Sequence, residues 1–138
     1  MKGKTIQELN VGDLASWSKT IVDADILSFA TVTGDFNPVH IDEEFAKQTM
    51  FEQRIAHGML SGSLFSTVLG TQLPGEGSIY LSQDLKFRKP VFINDTITAT
   101  CTVKEILLEK NRVVMDTTAV NQHGDIVVTG IAVLMPTK

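Results

Sequence analysis

The hydrophobic period of this chain changes partway along it. Residues 23–70 carry apolar side chains at helical spacing, whereas residues 78–135 carry them in alternation. In "VDADILSFATVTG", Ile26, Phe29 and Ala30 fall on one helical face. Asp23 is placed to cap the start of that helix, and Gly34 sits where a C′ glycine belongs. Asp42 is likewise placed to cap a short helix over "EEFAKQT". A third helix is expected over residues 57–70, "HGMLSGSLFSTVLG". Its Met59, Leu60, Leu64, Phe65, Val68 and Leu69 surround most of the axis, so this helix should be central and buried. Gly58, Gly62 and Ser66 recur every four residues as a stripe of small side chains. Such a stripe admits close packing, the commoner case, or leaves room for a ligand.

The second half reads as strands. In "TITATCTVKEI", Ile97, Ala99, Cys101 and Val103 alternate with threonines and Lys104, giving one wet and one buried face. "SIYLSQDLKFRKP" alternates too, and its period predicts Ile79, Leu81, Leu85 and Phe87 inward. Gln83 shares that face, where its amide needs partners. "RVVMDTTAV" and "DIVVTGIAVLM" form a hairpin across "NQHGD", which leaves His123 in an exposed turn. The pattern is α+β: one apolar helix embraced by a curved antiparallel sheet, in a single domain over residues 1–138.

Charge and composition remove several alternatives. A net charge of −4 argues against nucleic acid as partner. With one cysteine, Cys101, no internal disulfide can form, and its place on the buried strand face makes it a small core residue rather than a nucleophile. The N-terminus lacks the apolar core of a signal peptide, and no run approaches membrane-spanning length. A cytoplasmic location is the expectation.

The most unusual segment is "TGDFNPVH", Thr33 to His40. Gly, Asn and Pro are ordinary turn residues, and on that reading Asp35 and His40 are incidental. The other reading starts from Pro38, which fixes its own φ and biases Asn37 toward extended backbone. A segment so stiffened can hold a carboxylate and an imidazole toward one space, and these are the usual groups for moving protons near neutral pH. In "AHGM", Gly58 opens a helix whose free N–H groups can stabilise charge on a carbonyl oxygen. His57 beside it is placed to orient the loop by hydrogen bonding. His40, His57 and Cys101 lack metal-ligand spacing, so no metal site is expected. "GEGS" lacks a dinucleotide-binding context, and Ser61, Ser63 and Ser66 form no nucleophile elbow.

"GDFNPVHID", "RIAHGML", "SLFS", "GSIYL" and "KFRKPVFINDTI", in this order and spacing, resemble the R-specific enoyl-CoA hydratases of the MaoC-like dehydratase group. The resemblance runs from about Val11 to Leu134, with D-x-N-P-x-H as its most specific piece. It implies the hot-dog fold, a long helix wrapped by a curved antiparallel sheet. It implies Asp35 and His40 as the catalytic pair that adds water to a trans-2-enoyl-CoA, giving an (R)-3-hydroxyacyl-CoA. Gly58 corresponds to the backbone donor to the thioester carbonyl, Ser66 to a serine near the pair, and Asn37 to a residue holding the catalytic loop. Neither metal nor redox cofactor is implied, and a homodimer with joined sheets is. Asn37, Ser66, Met59 and Gln83 are candidates for the substrate pocket, and Lys86, Arg88 and Lys89 for the CoA phosphates or, equally, a solvated sheet edge. Two alternatives stay open: an acyl-CoA thioesterase on the same fold, or a non-catalytic acyl-thioester-binding subunit.

Overall fold

The computed structural model describes residues 2–138. After an N-terminal strand, β1 (Leu14–Thr20), come the helices α1 (Asp23–Thr33), α2 (Pro38–Ile41), α3 (Glu43–Lys47) and α4 (Gly58–Thr71). The strands β2 (Ile79–Gln83), β3 (Lys86–Phe87), β4 (Thr96–Leu107), β5 (Arg112–Val120) and β6 (Ile126–Met135) follow. The sheet is antiparallel with order β1-β4-β5-β6-β2, and β3 also pairs with β6. Helix α4 lies in its concavity and contacts β1, β2, β4, β5 and β6. Leu64, Phe65, Val68 and Leu69 of α4 meet Ile97, Ala99, Cys101 and Val103 of β4 in one core. The face of the helix that carries Leu60, Leu64, Phe65, Val68 and Leu69 is buried, so burying it and the inner sheet face are the same event. No helix among the described residues is long and apolar enough to cross a membrane.

Several local expectations hold for the reasons given. Asp42 accepts from the N–H groups of Glu44 and Phe45, and Gly34 closes α1 in the left-handed region at φ 84°. The β5–β6 hairpin forms as read, with His123 exposed in its turn. Cys101 is fully buried, and burial pushes its thiol pKa up to about 12, so it holds its proton.

Others need correction. Asp23 does not cap α1; it is the first helical residue, and Asp25 reaches back to accept from the Val22 N–H at 2.9 Å. Met59, expected within the buried surround of α4, is 57% exposed. Ile79 and Leu81 do not face inward. The pairing runs Tyr80↔Leu134 and then Ser82↔Val133, so Leu81 is the extra residue of a β-bulge. A one-residue slip exchanges the faces of a strand. Tyr80, opposite buried Leu134, and Gln83, opposite buried Ala132, therefore point inward, and Ile79 faces out at 52% exposure. Gln83 does find partners: it donates to Thr117 Oγ1 at 3.0 Å and accepts from the Tyr80 hydroxyl.

Strand β1 carried no hydrophobic alternation to announce it. Its Ser16, Ser18 and Thr20 hydroxyls bond instead to Thr100, Thr98 and Thr96 of β4, at 2.7–2.8 Å. This face is held by paired hydroxyls, a cross-strand contact that apolar patterning does not report.

Candidate active site

Local rules build the Thr33–His40 segment. The Gly34 N–H donates to Ala30 O and ends α1, and Asp35 Oδ1 accepts from the Asn37 N–H at 3.1 Å. Asn37 Oδ1 in turn accepts from the Val39 N–H at 3.3 Å, and Pro38 is the first residue of α2. Asn37 is thus a cap that shapes the loop, and it lines neither of the cavities described below.

His40 emerges from this turn 8% exposed. Its Nδ1 lies 2.8 Å from the Ile55 carbonyl, which can only accept, so Nδ1 carries the hydrogen. In the neutral ring Nε2 is then left with a free lone pair, as a general base requires. Burial holds the imidazole below its ordinary pKa; the neighbouring His57 lowers it further, and the Ile55 bond and Asp35 oppose the shift.

His57 is buried, stacks on His40 with centroids 3.9 Å apart, and tilts against Phe29 at 4.8 Å. Its Nε2 donates to the main-chain carbonyl of Asp35 at 3.0 Å, so it orients the loop as anticipated. Donor atoms of Asp35, His40 and His57 converge within 4.8 Å, a cluster that sequence spacing did not show. The two rings are nevertheless inclined by only 27° in their stack, so their in-plane lone pairs run side by side. One ion at about 2.1 Å from both nitrogens cannot lie in both ring planes. The cluster suits proton transfer better than coordination.

Opposite the loop stands the start of α4. His57 occupies its N-cap without a side-chain cap bond, leaving the first N–H groups, Gly58 among them, free of intrahelical partners at the positive end of the helix. A Cβ on Gly58 would lie 2.8 Å from the Phe87 ring, and one on Gly62 would lie 2.7 Å from Leu85. The small-residue stripe therefore serves close packing at both glycines.

These groups line a cavity of about 730 Å³. Of the residues singled out from sequence, Asp35, His40, Gly58, Met59, Arg88 and Lys89 lie on its wall. Ser66 and Gln83 line a second cavity of about 370 Å³, and Met59 and Phe29 border both. Ser66 and the acid–base pair thus line different cavities within one chain. Lys86 lines neither cavity, since it pairs with Thr129 on the outer face of the sheet. Arg88 Nε donates to Thr129 Oγ1 at 3.2 Å, and Lys89 pairs with Asp125 at 3.5 Å, so both cations sit at the rim with partners of their own. The sequence reading missed Phe51, Ile55 and Ser61 on the main wall. Ser61 is fully buried, and only its helical register relative to His57 could have drawn attention to it.

A carboxylate, a neutral imidazole and free helix N–H groups facing one largely apolar cavity, on a sheet-wrapped helix, define an acid–base site for a small-molecule substrate. The chain matches the model of the MaoC like domain over residues 10–124 and belongs to that family. It is 47% identical over 128 residues to the (R)-specific enoyl-CoA hydratase of Aeromonas caviae, covering 93% of this chain and 96% of that protein. The identity to the (R)-specific enoyl-CoA hydratase of Rhodospirillum rubrum is also 47%, over 94% of this chain and 89% of the relative. Among solved structures, the R-hydratase PhaJ1 of Pseudomonas aeruginosa superposes with a TM-score of 0.93 at 46% identity, covering 99% of this chain and 87% of that one. The hot-dog fold expected from the sequence is the fold observed.

The direction of the His40 shift makes a pH prediction. A neutral His40 persists below pH 6.5, so the acid limb of kcat/KM should fall below that value; a limb at or above it would contradict the role. Stability follows the same sign. Between pH 6.5 and the lower folded-state pKa, the unfolded chain binds more protons, so stability declines as pH falls through that window. Thermal midpoints across the window, with His40→Gln flattening the dependence, check this.

Proposed function

We propose that all 138 residues form one domain acting as an (R)-specific enoyl-CoA hydratase, which interconverts trans-2-enoyl-CoA and (R)-3-hydroxyacyl-CoA. The observation that carries the reading is the convergence of Asp35 and His40 on one cavity that the start of α4 also lines. Asp35 and His40 hold a water between them and take its proton as the oxygen bonds to the β-carbon. The displaced π electrons pass toward the thioester carbonyl, where the Gly58 N–H meets the developing negative oxygen. The α-carbon then receives a proton from the same pair. Both new bonds form on the face of the substrate turned to the pair, so addition is syn. Oxidation level is unchanged overall, and the chemistry calls for no redox partner.

The substrate handle is CoA, with Arg88 and Lys89 at the cavity rim as its phosphate contacts. The assembly is a homodimer joined through β2. That edge strand is unpaired on one side and exposes Ile79 and Leu81, as expected of a surface awaiting a second copy. The location is cytoplasmic. The decisive assay supplies trans-2-enoyl-CoA to the purified chain and follows loss of enoyl absorbance, free thiol and product chirality. Loss of absorbance with (R) product and no thiol is expected. Thiol release would indicate the thioesterase, and an (S) product or an inert chain would overturn the assignment. Sedimentation of the same sample should give a dimer mass.

A further inference from the structure

One nearly buried cation touches the catalytic loop from behind. Arg54 lies between α3 and α4 with its side chain 13% exposed. Its Nε donates to the main-chain carbonyl of His40 at 2.6 Å, and its Nη2 donates to Asp23 Oδ1 at 2.5 Å. Helix α2 is a single turn, and the last carbonyls of any helix lack intrahelical donors. Arg54 gives one of them a charged donor, which makes a shorter and stronger bond than a neutral one. Asp23, the other partner, is the first residue of α1, and the far end of α1 leads through Gly34 to Asp35. The guanidinium therefore ties the backbone of His40 to the helix that delivers Asp35. The following residue completes the grip: Ile55 O accepts from His40 Nδ1 at 2.8 Å, and the Ile55 N–H donates to Val39 O at 3.3 Å.

We propose that Arg54 is a positioning residue for the acid–base pair, setting His40 relative to Asp35 through the His40 carbonyl and the Asp23 carboxylate. It is not among the residues lining either cavity, so it acts through His40 and not on substrate. Lysine cannot take its place, because one ammonium on a flexible stem lacks the rigid fork that meets two acceptors in different directions. The role rests on the hydratase reading above.

The test compares wild type, Arg54→Ala, Arg54→Lys and Asp23→Ala with trans-2-enoyl-CoA as substrate. Misplacing a catalytic group by about an ångström costs on the order of 100-fold, so Arg54→Ala should lose about 10- to 100-fold in kcat with KM unchanged. Millimolar guanidinium should restore part of that activity, which a loss of general packing would not allow. Asp23→Ala should lose less, and the double variant no more than Arg54→Ala, because the two side chains form one unit. Lys47→Ala, which severs an exposed ion pair with Glu44, should leave kcat unchanged. Wild-type kcat in Arg54→Ala, a loss confined to KM, or a loss that guanidinium does not relieve would each overturn the proposal. Should Arg54→Ala fail to fold, full kcat in both Arg54→Lys and Asp23→Ala would overturn it. An inactive wild type defeats the hydratase reading instead, so the two failures are distinguishable.

Discussion

Asp35→Asn and His40→Gln are each expected to lower kcat for trans-2-enoyl-CoA by about 10²- to 10⁴-fold, the contribution usual for positioned acid–base groups. The thermal midpoint should barely move, for reasons visible in the loop. Asn at position 35 keeps an oxygen that can accept from the Asn37 N–H, and Gln at position 40 keeps a donor for the Ile55 carbonyl. What each variant loses is the proton acceptor. The pair acts on one water, so the double variant should cost little more than the worse single one. Initial rates on folded, matched samples decide the matter. Near-normal turnover by both variants would remove the catalytic roles assigned here while leaving family membership untouched.

Gly58→Val should lower kcat by about 10²-fold or more, the scale of removing or displacing one oxyanion donor, equivalent to about 3 kcal/mol in the barrier. The cause is steric and specific. A Cβ at this position would meet Phe87 ring carbons at 2.8 Å, closer than real contacts allow. Either the ring or the first turn of α4 must move, and the free N–H groups move with that turn. Phe87 is 52% exposed at the cavity wall and can be removed without opening the core. Phe87→Ala in the Gly58→Val background should therefore recover a large part of kcat. A double variant as impaired as Gly58→Val would show that the side chain itself blocks the substrate.

The two cavities share part of their lining. Phe29 and Met59 border both spaces, and Met59 is an unbranched side chain with several rotatable bonds. Its 57% exposure, which departs from the buried place its helical register suggested, is the feature that puts it at this boundary. Ser66 and Gln83 line the second cavity and not the one that Asp35 and His40 line.

The sequence by itself determined the elements with strong apolar periods and the chemistry with strict local geometry. Helix α4 is apolar over most of its circumference, and β4 alternates from Thr96 to Val103, so each could be read alone, as could their mutual burial. The turn from Gly34 to Pro38 was legible because its glycine and proline act on backbone within a few residues. Tertiary structure alone decided what depends on partners distant in the chain. A bulge at Leu81 reversed the faces of β2 ahead of Ser82 while Gln83 kept its inward place, because register is set by the neighbouring strand and not by the strand's own period. Strand β1 exists through hydroxyl pairs to β4, some 80 residues away. The stack of His57 on His40, and the bonds from Arg54 to His40 and Asp23, join groups from three separate elements. Spacing along a chain carries no record of such contacts, since it is the fold that brings these side chains together. Asp35 and His40 are candidates in their own octapeptide and are favoured only through the neighbouring motifs and the whole-chain resemblance; what brings them to one cavity is a property of the fold.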